Sequence, residues 1–495
     1  MLARNAFSAV TQVVVTSALS FELYRFLNRH LTISDIGSWS VVLASATTGR
    51  LIDLGLGGGV VRFVAKHMGR NARAQAAATI QMAMSGMLIL FGLTSLLLFP
   101  LIRSGLALLI HDPASLGRAR ALLPYALTSL VFSALSGVVL SALDGCQRMD
   151  LRAGVGVSGS LAQLMCAYWL VPSLGISGLA VAQVIQSLVV FLLGLILLLR
   201  LIGADLYRVA NWRRSALNEL IAYGGGVQAA TIGQLLFEPA VKVILTRFSG
   251  LEFVGYYEMA NQLILQLRSM LVSAYQSLVP YVAGTSMSVS ELREVYVSSY
   301  RLFFFCCCVA FGAVGLALPF VLQLWIGRYS KTFVEIAELS LIAWMVPTVT
   351  CPPYYVYLAV GKLKWPVLSN FTMGTLAVGL GIVCGYLLGG LAVLCAVTFV
   401  LTLASQIVSF AFHYQYDIPL RRLIPGESVA IATCAVAGTL SILALTLSAG
   451  ASLRESVIIP AIGFAAALAY LSVVNPNAHL VVGFLSNIRG RSGSR

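Results

Sequence analysis

The chain reads as an all-α polytopic membrane protein of about fourteen transmembrane helices, in two six-helix lobes followed by two further helices. Composition, recurring apolar runs and an internal repeat carry that expectation. Of 495 residues, 59% are hydrophobic and only 10% charged, with a mean hydropathy of +0.90, whereas about a quarter of a soluble domain is charged. Apolar runs of about 20 residues, the length that crosses a hydrocarbon core of roughly 30 Å, recur almost to the end. Leu27, Arg29, Gly37, Trp39 and Arg50 then reappear as Leu245, Arg247, Gly255, Tyr257 and Arg268, each 218 positions on and without a gap.

The first span, about 5–27, sets Asn5, Ser8, Gln12 and Thr16 on one helical face. Its length, with Gln12 and Glu22 inside it, is unlike a cleavable signal, so it is expected to stay in the mature chain. The second, 36–56, carries Arg50 and Asp53 three residues apart and runs into Gly55, Gly57, Gly58 and Gly59, which are expected to end or loosen it. These glycines do not make a nucleotide cradle, which joins a strand to a helix in a soluble βαβ unit. Spans at 77–102, 122–143, 154–171 and 178–201 complete the first lobe.

A basic segment with Arg208, Trp212, Arg213 and Arg214 reads as an amphipathic link at the lipid headgroups. The seventh span, 220–246, bears Gln228, Thr231, Gln234, Glu238 and Lys242, with a kink expected at Pro239. The eighth, 254–282, bears Glu258, Gln262, Gln266, Ser269, Ser273 and Gln276 as a stripe flanked by Asn261 and Arg268. Spans at 299–325, 334–360, 366–387 and 389–412 finish the second lobe; those at 427–448 and 456–474 have no counterpart in the repeat. Gly145 with Arg148 against Gly361 with Lys364, and Gly178 to Val181 against Gly390 to Val393, echo the repeat at offsets of 216 and 212. The division is therefore an N-terminal lobe at 1–202, a linker at 203–219, a C-terminal lobe at 220–413 and a C-terminal region at 414–495. An even number of spans between the copies gives them one orientation, a parallel repeat of the kind transporters use.

With the N-terminus cytoplasmic, 20 of the 32 Lys and Arg fall in cytoplasmic links and tails and 10 outside, so both termini are expected to be cytoplasmic. Topology and anionic lipid headgroups account for the net charge of +14 without nucleic acid. The nine cysteines read as small buried hydrophobes. The five histidines form no metal set, and no Ser/His/Asp or Cys/His arrangement emerges. A membrane glycosyltransferase or polymerase would need a sizeable outer loop with paired carboxylates, and no link exceeds about twenty-five residues. The chain is read as a non-enzyme.

Polar stripes at equivalent places in both copies point to a water-filled cavity between the halves. Arg50 and Arg268, inside apolar runs, are the leading candidates for an anion, since an arginine at a span centre costs about 2.5 to 3.5 kcal/mol. The alternatives are a pair with Asp53 for Arg50 and a structural partner for Arg268. Arg25, Arg29, Lys242 and Arg247 form a second basic layer or interfacial anchors. Glu22, Asp53, Glu238 and Glu258 are candidate proton or cation sites, or partners of the neighbouring bases.

Arg29 followed by Ile36 to Trp39, Leu51 to Gly57, Leu143 to Arg148, and Gly255 to Ala260 with Gln266 to Arg268 together resemble the Wzx-type polysaccharide flippases of the multidrug/oligosaccharidyl-lipid/polysaccharide exporter superfamily. The resemblance implies two lobes forming a V and alternating access. It also implies transfer of an undecaprenyl-diphosphate oligosaccharide from the cytoplasmic to the outer leaflet of a bacterial inner membrane, for exopolysaccharide, O-antigen or capsule synthesis. Arg50 and Arg268 are then bets for the anionic headgroup, supported by Arg29, Arg247, Lys242, Gln262 and Gln266 as substrate-binding candidates. Asp53, Glu238 or Glu258 would couple transport to H+ or Na+, no cofactor is needed, and a polymerase and chain-length proteins are implied partners. A lipid II flippase and a drug or cation exporter of the same superfamily are the alternatives.

Overall fold

The computed structural model describes residues 2–52, 56–203, 214–276, 288–326, 330–360, 362–424, 426–448 and 453–475. Within them the regular structure is helical throughout. In order the elements are α1 (Leu2–His30), α2 (Ile33–Thr47), a 3-10 turn (Thr48–Ile52), α3 (Leu56–Gly69), α4 (Arg73–Leu109), α5 (Pro113–Gly145), α6 (Met149–Leu174) and α7 (Ile176–Ile202). There follow α8 (Arg214–Gln276), α9 (Val289–Ile326), α10 (Lys331–Val349), α11 (Pro352–Val360), α12 (Lys364–Leu388), α13 (Gly390–Gln415), α14 (Leu420–Leu423), α15 (Gly426–Ser448) and α16 (Leu453–Val474). Eight of the described helices, α4 to α7, α9, α10, α12 and α13, are long and apolar enough to span a bilayer, and shorter apolar helices lie at Ser428–Ile442 and Pro460–Val474. Large apolar side chains such as Leu96, Leu97, Leu101 and Trp169 are exposed on them, as a multi-pass membrane protein requires of surfaces that meet lipid.

Local chemistry sets the helix ends. Thr32 and Asp35 cap α2 reciprocally: the Asp35 backbone N–H donates to Thr32 Oγ1 at 3.2 Å, and the Thr32 N–H donates to the Asp35 carboxylate at 3.3 Å. Asp112 caps α5, accepting from the Ser115 N–H at 2.8 Å, with Pro113 in the first helical position. The expected seventh span, and the eighth as far as Gln276, fall within α8, where Gly250 at φ 81 interrupts the helix; positions 277–282 lie outside the described residues. That positive φ suits glycine and strains other residues.

Two expected spans are interrupted instead of continuous. The second span stops at Thr47 and tightens into the 3-10 turn, so that Gly57 to Gly59 fall inside a new helix, α3, together with part of the basic link. Thr47 Oγ1 donates to the Ala44 carbonyl at 2.8 Å and Thr48 Oγ1 to the Ser45 carbonyl at 2.6 Å. Such back-bonding competes with helical hydrogen bonding, and Gly49 adds little helical preference. The tenth span divides at Thr350 and Cys351, because Pro352 and Pro353 have no N–H to continue the ladder. The basic stretch 204–213, Asp53 and the tail from 476 lie outside the described residues.

The chain forms two compact units, 1–259 with 370–396 and 260–369 with 397–495. In the first, α5 packs against α2, α3, α4 and α7, and α6 bridges α1 and α7. Here the two copies of the repeat also meet. A Cβ added at Gly37 would overlap the Leu251 carbonyl oxygen, and one at Gly255 would overlap the Ile33 carbonyl oxygen. Ile33 and Leu251 are themselves 218 positions apart, so the contact is reciprocal, with each glycine admitting the backbone of the other copy.

In the second unit α9 packs against α10, α15 and α16 around an aromatic core. Buried Tyr296 hydrogen-bonds His413 Nε2 at 2.8 Å and packs on Phe412 at 4.6 Å between ring centroids. Tyr357 OH donates to Gln415 Oε1 at 3.0 Å. Cys307, Cys308 and Cys351 are buried in it as unpaired small hydrophobes.

Candidate functional site

Next to the paired glycines, α1, α2 and α8 bring together a buried charged cluster. Lys242 Nζ lies 2.7 Å from Glu258 Oε2 and 2.9 Å from Glu238 Oε1. Glu258 also accepts from Ser40 Oγ at 2.7 Å and from Tyr24 OH at 3.3 Å. The Lys242 side chain is 7% exposed and that of Glu258 16%, while Glu238 is half exposed at 49%. Removing two charges from water costs several kcal/mol each unless attraction and extra hydrogen bonds offset it. Here the carboxylate has three donors and the ammonium two carboxylates. Tyr24 and Ser40 stand 218 positions before Lys242 and Glu258. The cluster thus occupies one pair of equivalent positions twice, neutral in the first copy and charged in the second.

Arg50 sits in the 3-10 turn, exposed, and donates from a terminal nitrogen to Ser133 Oγ on α5 at 2.8 Å. It borders a cavity of about 420 Å³ among α3, α4, α5 and α7 whose polar lining includes Ser133, Ser141, Gln183 and Gln186. Gln163 Nε2 donates to Gln183 Oε1 at 2.7 Å behind it.

Arg268, in the second unit, has a different setting. Its guanidinium lies 5.0 Å from the centroid of the Trp344 ring on α10, and its Nε is buried without a hydrogen-bond partner. The ring is held in place by Trp344 Nε1–H donating to Asn261 Oδ1 at 2.8 Å. Beyond it Gln276 Nε2 donates to Tyr355 OH at 3.0 Å. No described carboxylate forms an ion pair with Arg268. Cation–π contact supplies about 0.5 to 2 kcal/mol but leaves the positive charge in place.

The remaining expected residues fall as follows. Arg29 and Arg247 are exposed near the end of α1 and just before Gly250. Gln262 and Gln266 are partly buried on α8, where Ser269 Oγ donates to the Gln266 carbonyl at 2.8 Å. Glu22 pairs with Arg25 at 3.3 Å and accepts from Tyr168 OH at 2.9 Å. Asp53 lies outside the described residues. Among the described residues no group of three or more His, Cys, Asp or Glu could hold a metal ion.

Ser40 and Trp344 are not singled out by sequence reasoning, and Tyr24 reads in sequence only as an aromatic of the membrane-interface belt. The 218-residue offset could have found Tyr24 and Ser40, because adding it to their numbers reaches Lys242 and Glu258. Nothing in the sequence pairs Trp344 with Arg268. Glu338 was also missed, and it is the described side chain with two buried oxygens lacking any partner.

The fold is that of the multidrug/oligosaccharidyl-lipid/polysaccharide (MOP) superfamily transporters. An inward-facing multidrug resistance MATE family transporter of that superfamily aligns with a TM-score of 0.66 and 14% identity, covering 83% of this chain and 98% of its own. The lipid II flippase MurJ, inward closed, aligns at 0.65 and 13% identity over 94% and 97%. A MOP superfamily transporter from Pyrococcus furiosus, described as having a binding pocket of reverse polarity, aligns at 0.58 and 13% identity over 84% and 96%. The chain itself belongs to the polysaccharide biosynthesis protein family, whose model matches residues 2–286. No curated protein matches the sequence significantly.

Proposed function

We propose that the protein is a flippase that carries an undecaprenyl-diphosphate-linked oligosaccharide from the cytoplasmic to the outer leaflet of the bacterial inner membrane, with both termini cytoplasmic. The observation that carries this reading is Arg268, a cation on α8 that rests on Trp344 with its Nε buried and unpartnered. A planar guanidinium gives paired charge-assisted hydrogen bonds to phosphate oxygens. Arg50, its equivalent in the first copy, provides a second guanidinium beside a polar cavity. Arg29, Arg247, Gln262 and Gln266 are assigned hydrated contacts to the sugars and phosphates. Lys242 has a supporting role, since two carboxylates already surround its ammonium.

Membership of the polysaccharide biosynthesis family favours a glycan cargo over a drug, and a cationic drug would be repelled by an uncompensated arginine. The transfer moves an intact lipid and breaks no bond, so it needs neither catalytic residues nor a cofactor, and an H+ or Na+ gradient supplies direction. A polysaccharide polymerase and chain-length proteins would consume the product at the outer face.

The test is translocation of fluorescent undecaprenyl-diphosphate oligosaccharide in proteoliposomes by wild type, Arg50→Ala and Arg268→Ala, each first shown to be folded. Loss in both variants supports the reading. Transport that survives both removes the arginines from it, and transport of a small organic cation instead of any lipid-linked glycan overturns it.

A further inference from the structure

Glu338 lies in the eighth residue of α10, is 0% exposed, and has both carboxyl oxygens buried without a hydrogen-bond partner. The other buried carboxylate described above, Glu258, has a lysine, a serine and a tyrosine. Glu338 has none of these, and an uncompensated buried charge costs several kcal/mol. The side chain is therefore the neutral acid while this packing persists. It can ionise only in an arrangement that brings it water or a cation.

Among the described residues Glu338 belongs to no group of three or more His, Cys, Asp or Glu that could hold a metal ion. Leu341, one helical turn from Glu338, packs against Gly315 of α9 beside Thr439 of α15; α9 and α15 pack on α10, and α8 meets it at Trp344 through Asn261 and Arg268, with Arg268 and Tyr275 the titratable residues of α8 from Asn261 onward. The charges of α9, Glu291, Arg293, Glu294 and Arg301, lie at least 14 residues before Gly315, roughly 21 Å along a helix. Its other titratable groups are Tyr296, Tyr300 and Cys306 to Cys308. On α15 the titratable residues are Glu427, twelve positions before Thr439, and Cys434. On α10 itself they are Lys331 and Glu335. Sodium would need several oxygen ligands here, whereas a proton needs one.

The same helix carries Trp344, six residues on, or about 9 Å along the axis, where it supports Arg268. The Ser330 cap, whose Oγ accepts from the Phe333 N–H, and the break at Thr350 and Cys351 bound α10 as one segment. A change that hydrates Glu338 displaces the segment that also holds the arginine's ring. We propose that Glu338 is a proton-carrying site, taking up and releasing one proton per cycle as α10 moves, and thereby linking proton flow to the anion site at Arg268. The link to translocation rests on the flippase reading above; the proton site does not.

Two measurements separate them. Infrared difference spectra of the purified wild-type protein across a pH titration should contain a protonated-carboxyl band that Glu338→Gln lacks. In proteoliposomes an imposed pH gradient should accelerate lipid-linked glycan translocation by wild type, while Glu338→Gln keeps the gradient-free rate and loses the acceleration, and Glu338→Asp regains part of it. A carboxyl band retained by Glu338→Gln overturns the site. So does an undiminished pH-gradient response in that variant, or acceleration by a sodium gradient alone that Glu338→Gln abolishes. If wild type moves no lipid-linked glycan but the band is present and lost in Glu338→Gln, the proton site stands and the flippase reading falls.

Discussion

Lys242 and Arg268 are two cations of the second repeat copy, one on each side of the break at Gly250, and their surroundings are opposite. Lys242 is enclosed by two carboxylates at 2.7 and 2.9 Å, and one of these is held further by Ser40 and Tyr24. Arg268 rests on an aromatic face with a buried nitrogen unsatisfied. Both are expensive to place in an apolar span. In one case the protein supplies the compensation itself; in the other it supplies a ring that orients the cation without neutralising it. On the proposed reading the difference separates a charge used for structure from a charge kept for a ligand, and it predicts that the two respond differently to substitution.

The largest expected effect is on stability at Lys242. Lys242→Met leaves Glu258 buried without its cation, which should cost about 3–5 kcal/mol, read as a lowered thermal midpoint in detergent. Lys242→Met combined with Glu258→Gln should recover most of that loss, because an apolar and polar neutral pair avoids the stranded charge. If the single variant melts like wild type, the cluster is not the structural member of the comparison.

At Arg268 the effect should appear in binding and leave melting nearly unchanged. Arg268→Ala should weaken a diphosphate-lipid ligand by the worth of a charged hydrogen bond, about 1.5–3 kcal/mol, or roughly ten- to a hundredfold in Kd. Arg268→Lys should recover little, because an ammonium lacks the planar fork and stacks less well on Trp344. Equal loss of melting temperature in Arg268→Ala would make it a second structural cation and erase the contrast.

A third substitution probes the contact on which the Lys242 cluster is built. Gly37→Ala places a methyl on the Leu251 carbonyl, and backbone cannot yield as a side-chain tip can. Overpacking of this kind costs about 1–3 kcal/mol. Gly255→Ala should cost a similar amount, since its Cβ meets Ile33 in the reciprocal position. Both variants should lower the thermal midpoint.

These contrasts also mark what the sequence could reveal. Arg50 and Arg268 stood out because a charge interrupts an apolar run, and the repeat offset followed from identities that need no structure. The membrane fold was legible for the same reason, since apolar length alone predicts a span. The break after Thr47 was hidden, because the hydroxyl back-bonds that end α2 leave its hydropathy high. Glu338 was hidden because its isolation belongs to the packing of α9 and α15; in sequence it is an acid three residues from Glu335, near a helix start. Tyr24 and Ser40 are neutral, and only the contact between copies gives them a charged partner.

The smallest effects test how the neutral copy serves the charged one. Ser40 Oγ reaches Glu258 Oε2 at 2.7 Å, whereas Tyr24 OH reaches Oε1 at 3.3 Å, and a short bond to a charged acceptor is the stronger. Because Lys242 still holds Glu258, Ser40→Ala should cost about 1.5 kcal/mol, the low end for a bond to a charged group, and Tyr24→Phe less than that, measured by the same melting assay. In a Lys242→Met background Glu258 has lost its cation, so each hydroxyl should matter more and the cycle should be non-additive. Additive losses would mean that the two hydroxyls and the lysine act on Glu258 independently. The asymmetric cluster would then be a set of separate contacts that happens to lie where the copies meet.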